Sequence, residues 1–304
     1  MKVWISHDEG RGQLGDVPDG VTVEIFPAVD GPMPSDPAGV EFWSPPFLSG
    51  PGAVELVARM PDLRVVQLMT AGVDAWYGKI PDRVTLCDGR GVHDSSTSEW
   101  AAAAILASVR EFPSFARSQV ERRWAYRRTG ELSGRRVLIV GAGSIGTTLA
   151  ARLAPFDVEI TLVARRARDG VHAVEELPAL LPNADIVVLL IPLTSQTRGL
   201  VDAAFLAGLP DGALVVNAAR GPVLDTAALT AECASGRLHA ALDVTDPEPL
   251  PAEHPLWSMP NVFITPHVGG SVPGALWRAY RLVGAQLRRF AAGEPLDNVV
   301  ADGY

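Results

Sequence analysis

Between Arg136 and Arg166 the chain reads RVLIVGAGSIGTTLAARLAPFDVEITLVARR, and few folds accommodate that order. Val137 to Val140 is an unbroken apolar run of strand length, as suits a parallel strand covered on both faces by helices. Gly141, Gly143 and Gly146 follow directly, and Ile145, Leu149, Ala150 and Leu153 then fall at helical spacing. The predicted unit is strand, tight turn, helix. In that setting the first glycine makes the turn, the second admits a diphosphate to the backbone, and the third lets helix and strand pack closely. The helix N-terminus then faces the anion. A second apolar strand, Val158 to Val163, arrives where a βαβ unit requires it. The stretch predicts a dinucleotide site on Gly141, Gly143, Ser144, Ile145 and Gly146.

The 304 residues are enough for about two domains. With 47% hydrophobic and 20% charged residues, the chain is globular rather than disordered. A net charge of -9 leaves no general basic field, so neither nucleic acid nor an anionic membrane is an expected partner. Cys87 and Cys233 are the only cysteines; they cannot form a disulfide framework or a four-cysteine zinc site, and no metal is expected. Two cysteines fit a reducing cytoplasm. The start, MKVWISHDEG, has no apolar core of signal-peptide length, and Ala101 to Val109 is too short to span a bilayer.

In chain order, residues 2–6, 21–26 and 39–43 read as short strands separated by turns rich in Gly, Pro and Asp. Pro51 to Met60 reads as a helix, Arg64 to Leu68 and Val84 to Cys87 as strands. This alternation predicts a small α/β domain, and it carries no glycine fingerprint. Thr70-Ala71-Gly72-Val73-Asp74 is a turn whose amides can face an anion if a helix starts there. Ser95 to Ser98 offer N-caps for an Ala-rich crossover helix, Glu99 to Arg110. Trp100 stands in that helix where a smaller residue is expected, and the sequence gives no functional account of it. Beyond 136, Asp185–Ile191, Ala213–Asn217, His239–Asp243 and Val262–Thr265 read as further strands. Helices are expected near 173–181, 202–208 and 225–235. That makes six parallel strands in a doubly wound sheet. A final amphipathic helix, 273–292, runs back to the first domain, whose completion is assigned to the tail Gly293–Val300.

Ligands of open α/β sheets bind beyond the carboxyl ends of the strands. Three such ends carry reactive side chains: NAARGPVLD, LDVTDPEP and TPHVGG. Arg220 offers a planar fork that binds a carboxylate with two parallel hydrogen bonds. His267 is an imidazole able to pass a proton near neutral pH. Glu248, if it meets the other ring nitrogen, orients that imidazole and favours its charged form. Together they suit carbonyl reduction or its reverse. Taken singly, each also suits a surface loop. Trp43, Pro45, Pro46 and Phe47 follow a strand and either shape a substrate pocket or pack on the core; His93 is a further candidate for lining the cleft.

GAGSIG, NAARGPVLD, LDVTDPEPLP and TPHVGGS, in this order, resemble the D-isomer-specific 2-hydroxyacid dehydrogenase family, and TAGVD and SSTSEW resemble its N-terminal signatures. The resemblance runs from about residue 64 to Val300 and implies an α/β protein of two Rossmann-like or flavodoxin-like domains. Both would hold doubly wound parallel sheets, with a cleft between them. The substrate domain would comprise residues 1–96 with 286–304, and the dinucleotide-binding Rossmann domain residues 97–285. It implies that Arg220 binds substrate, that His267 is the acid/base with a buried Glu248 as its partner, and that Asp243 contacts the nicotinamide end. The amides of Ala71, Gly72 and Val73 would hold the substrate carboxylate. Thr97, Pro192, Thr197 and Ala218 would lie near the cofactor, and the assembly would be a homodimer.

One departure matters. Members using NAD carry an acidic residue at the end of the second strand; here the position is Ala164, followed by Arg165, Arg166 and Arg168. A carboxylate would repel a 2′-phosphate and arginines attract it, so NADP(H) is expected over NAD(H). That favours a reductase acting on a small 2-keto acid such as glyoxylate or hydroxypyruvate. Alternatives are a dinucleotide-sensing corepressor with little turnover, or an NAD-dependent dehydrogenase of the same family with another substrate. Serine hydrolase chemistry is disfavoured because Ala142 breaks the pattern around Ser144.

Overall fold

The computed structural model describes residues 1–47 and 49–300. It divides into two compact units, Met1–His93 with the chain from Val272 onward, and Asp94–Ser271.

The first unit contains β1 (Lys2–Ile5), β2 (Thr22–Ile25), β3 (Val40–Ser44), α1 (Pro51–Leu56), β4 (Val65–Gln67) and β5 (Thr85–Cys87). Its five strands are parallel in the order β2-β1-β3-β4-β5. Successive side chains of a strand point to opposite faces. Trp4, Trp43 and Val66 therefore pack with Phe26, Met60 and Trp76 on one side, while Val3, Ile5, Phe42 and Val65 pack on the other. The second face is covered by the C-terminal helix Pro273–Ala292, through Ala279, Tyr280, Val283 and Leu287. The domain boundary expected at 285/286 would cut this helix. Its buried side chains all lie in the first unit's core, so the chain changes unit at Val272 instead. The boundary expected at 96/97 likewise moves to His93/Asp94. Of the expected segment 286–304, residues 301–304 lie outside the described residues. The tail closes the sheet: Asp88 donates its amide to Asn298, and Val300 donates to Leu86, each at 2.9 Å.

The second unit begins with α2 (Asp94–Val109) and α3 (Phe112–Val120), then β6 (Arg136–Val140), α4 (Ser144–Leu153), β7 (Glu159–Ala164) and β8 (Val171–Ala173). It continues with α5 (Leu177–Leu180), β9 (Ile186–Leu189), α6 (Ala203–Ala207), β10 (Leu214–Asn217), α7 (Thr226–Ala234), β11 (His239–Leu242) and β12 (Val262–Ile264). The sheet has seven parallel strands, β12-β11-β10-β9-β6-β7-β8, rather than the six expected. β8 is three residues long and is not foreseen by the sequence pattern; only its last residue, Ala173, falls in the helix expected near 173–181. That helix is itself broken, because Pro178 and Pro182 restart the chain as short turns around α5. Strand order reverses between β6 and β9, the switch point where such sheets bind ligands.

Two further readings change. The crossover helix starts at Asp94, so Ser95 to Ser98 lie inside it instead of capping it, and the Ser98 hydroxyl donates to the Asp94 carbonyl. The short helix α3 was not foreseen. Among the described residues, no helix is long and apolar enough to cross a membrane.

Candidate functional site

Gly141 leaves β6 at φ +122°, and a Cβ there would stand 2.4 Å from the Leu190 carbonyl beyond β9. Only glycine fits that left-handed approach. A Cβ on Gly146 would stand 1.9 Å from the Gly141 oxygen, which is how closely α4 packs on the turn. A Cβ on Gly143, by contrast, meets nothing within 4 Å. The second glycine therefore borders open space ahead of α4, whose N-terminus has no side-chain cap. These features fit a diphosphate on the leading amides of α4. The Ser144 hydroxyl donates to Asp94 Oδ1 at 2.9 Å, a partner that the sequence did not suggest.

Ala164 ends β7, and Arg165 and Arg166 beyond it are exposed. Arg168 folds back to donate to the Ala142 carbonyl at 2.6 Å and so ties this turn to the glycine loop. Beyond β9, Thr197 Oγ1 donates to the Pro192 carbonyl at 2.6 Å, and Ala218 N donates to the Leu189 carbonyl at 3.3 Å. Thr97 is buried on α2.

Arg220, Asp243 and His267 follow β10, β11 and β12, which are adjacent in the sheet. The Asn217 side chain shapes the first of these loops, accepting from Ala219 N at 3.0 Å and donating to the Arg220 carbonyl at 3.2 Å. The loops after β10 and β11 touch: a Cβ on Gly221 would stand 1.9 Å from the Thr245 oxygen. His267 Nδ1 lies 2.7 Å from Glu248 Oε1. The expected acid/base pair is thus brought into contact across 19 residues of sequence. Glu248 is not buried as expected; its side chain is 42% exposed, because the loop among Pro247, Pro249 and Pro251 runs over the surface of this unit. His267 itself adopts φ +54°. Asp243 is buried, and its carboxylate accepts from the Thr265 hydroxyl at 2.6 Å, from Val268 N at 2.9 Å and from Gly269 N at 2.8 Å.

In the first unit, Ala71, Gly72 and Val73 follow β4 in a turn that no helix continues, contrary to the condition set for an anion site there. Trp76 and Tyr77 donate to the Val73 carbonyl at 2.7 and 2.9 Å, which makes a single helical turn in place of a helix. Trp43 belongs to the core, its ring 5.9 Å from that of Trp76, whereas Phe47 is half-buried between His7 and His93. The Tyr280 hydroxyl accepts from the His7 amide at 2.8 Å and meets His7 Nδ1 at 3.0 Å; burial pushes it up to about 12 and pulls His7 below the usual imidazole range. Burial likewise pushes the Cys87 and Cys233 thiols up to about 12. Neither is a thiolate nucleophile at neutral pH. No group of three or more potential metal ligands occurs among the described residues.

Residues 102–269 match the model of the D-isomer specific 2-hydroxyacid dehydrogenase NAD binding domain. The fold is similar to a D-isomer specific 2-hydroxyacid dehydrogenase from Xanthobacter autotrophicus Py2 solved with NADPH and MES. The TM-score is 0.86 and the identity 34%, over 99% of each chain. It is also similar to an NADPH-dependent glyoxylate/hydroxypyruvate reductase from Sinorhizobium meliloti, with a TM-score of 0.84 and 30% identity over 98% of each chain. A glyoxylate reductase from Thermofilum pendens is 34% identical over 257 residues, covering 79% of this chain and 75% of that protein. With its glycine turn at the switch point and the imidazole and carboxylate paired beyond the strand ends, the chain belongs to the D-isomer specific 2-hydroxyacid dehydrogenases, NAD(P)-dependent enzymes acting on the CH-OH group of their donors.

Proposed function

We propose that this enzyme uses NADPH to reduce a small 2-keto acid of the glyoxylate or hydroxypyruvate type. The observation that carries the proposal is the 2.7 Å contact of His267 Nδ1 with Glu248 Oε1. A carboxylate on Nδ1 keeps a proton there and orients the ring, so Nε2 is the nitrogen that passes a proton to the substrate carbonyl oxygen. Arg220 binds the substrate carboxylate and draws charge from the adjacent carbonyl. The amides of Ala71, Gly72 and Val73 are assigned to the same carboxylate as amides of a turn alone, since no helix follows them.

The residues that would hold the dinucleotide are Gly141, Gly143, Ser144, Ile145 and Gly146 at the diphosphate, with Ala164, Arg165 and Arg166 at the adenosine ribose. Thr97, Pro192, Thr197, Ala218 and Asp243 complete the set. When bound, the cofactor supplies a hydride to the carbonyl carbon. Preference for NADP(H) is supported by the exposed cations beyond Ala164 and by the NADPH and NADP ligands named for the two solved relatives.

The test is a spectrophotometric panel of glyoxylate, hydroxypyruvate, pyruvate and phenylpyruvate with each cofactor. NADPH is expected to outperform NADH in kcat/KM by about tenfold or more, and Ala164→Asp, which sets a carboxylate against the 2′-phosphate, to reverse that order. Equal rates with both cofactors would remove the assigned role of Arg165 and Arg166.

The reading includes a homodimer. It is supported by the stretch in and after α3, where Val120, Trp124 and Tyr126 are 86%, 95% and 85% exposed, apolar surface that a lone chain leaves in water. Light scattering should give a molar mass twice that of the chain, falling to the single chain in Trp124→Glu. A cytoplasmic setting goes with the same reading, since Cys87 and Cys233 are free thiols.

A further inference from the structure

We propose that Trp100 is a positioning residue for His267, acting through Thr265 and Asp243; the proposal rests on the reading of His267 as the proton donor. Trp100 Nε1 donates to Thr265 Oγ1 at 3.0 Å, and Thr265 Oγ1 donates to Asp243 Oδ1 at 2.6 Å. The direction of this chain is forced. An indole N–H can only donate and a carboxylate can only accept, so the hydroxyl between them must accept from one and donate to the other.

The same carboxylate accepts the amides of Val268 and Gly269, while His267 N donates to the Asp243 carbonyl at 2.8 Å. The residues on both sides of His267 are thus fixed to one buried aspartate, and Trp100 links that arrangement to α2 across 165 residues of sequence. The fit leaves no slack. A Cβ on Gly269 would stand 2.8 Å from Asp243 Oδ2 and 3.4 Å from Trp100 Cγ, so the indole lies against the loop as well as bonding to it.

His267 needs such support. Its φ of +54° is a conformation that a non-glycine residue keeps only where its surroundings impose it. Without the indole donor, the Thr265 hydroxyl keeps only its bond to Asp243 and the loop loses its tie to the helix. The imidazole then samples positions away from the reacting oxygen, and a displacement of about 1 Å is enough to cost up to about 100-fold in rate. The size of residue 100, unexplained by the sequence, follows from the distance that the ring must span.

The experiment compares Trp100→Phe, Thr265→Val, their combination and Thr265→Ser. The readouts are kcat, the KM for glyoxylate or the best 2-keto acid of the panel, and the NADPH dissociation constant from calorimetry. Trp100→Phe and Thr265→Val should each lower kcat by about 10- to 100-fold, with KM and cofactor affinity retained. The combination should be no slower than Thr265→Val alone, because both substitutions cut one chain. Thr265→Ser, which restores the hydroxyl, should recover most of what Thr265→Val loses. Parental kcat in Trp100→Phe overturns the proposal. So do losses that multiply in the double variant, and so does loss of NADPH binding in either single variant, since the network would then be a structural support only. A parent protein that reduces no 2-keto acid overturns the functional reading together with this one; an active parent with an unaffected Trp100→Phe overturns this one alone.

Discussion

His267→Ala is expected to lower kcat for 2-keto acid reduction by about 10²- to 10⁴-fold, the usual contribution of a positioned proton donor. NADPH affinity should persist, because the proposed diphosphate site is built from Gly141–Gly146 and contains no part of the His267 loop. KM should change far less than kcat, since the proton matters most as the carbonyl oxygen gains charge. Glu248→Gln keeps a polar partner 2.7 Å from Nδ1 but removes its charge, so a smaller loss of kcat is expected. Steady-state kinetics with calorimetry of cofactor binding separates these outcomes. A His267→Ala protein with parental turnover would show that another group delivers the proton.

The second large effect concerns stability. A helix-interior glycine replaced by alanine ordinarily gains roughly 1 kcal/mol. At Gly284, in the C-terminal helix, the opposite sign is expected. A Cβ there would stand 1.8 Å from the Leu14 carbonyl oxygen, a backbone atom that also accepts from Arg288 Nη1 at 2.6 Å. It cannot rotate away as a side chain could. The helix must lift from the N-terminal segment, at an overpacking cost of about 1–3 kcal/mol or more. Gly284→Ala should therefore lower the thermal midpoint by several degrees, whereas Gly12→Ala, with nothing within 4 Å, should leave it nearly unchanged. A raised midpoint in Gly284→Ala would mean that helix and segment do not pack as described.

Much of this molecule was legible because its elements announce themselves locally. β6, the glycine turn and α4 are consecutive in sequence, and Gly141 and Gly146 each have a steric reason, so the strand-turn-helix unit at the switch point could be read without a fold. Strands of alternating or continuous apolar residues were found for the same reason, β8 excepted. Three residues around a histidine carry no period. The start of α2 differs because Ser95 to Ser98 are good caps in isolation, whereas in the structure the Ser98 hydroxyl bonds back to the Asp94 carbonyl within the helix and α2 packs on α4. The unit boundary failed similarly, since amphipathicity says that a helix has a core face without saying which core it serves.

The amino-acid order by itself determined the alternation of strands and helices, the glycine turn, and which strand ends carry an arginine, an aspartate, a glutamate and a histidine. It did so because hydrophobic period and backbone freedom are local properties. Tertiary structure alone decided that Glu248 reaches His267, that Trp100 reaches Thr265, and that the final helix needs glycine at 284. Those contacts depend on the lateral order of strands and on how closely two backbones approach, quantities that no short window of sequence contains.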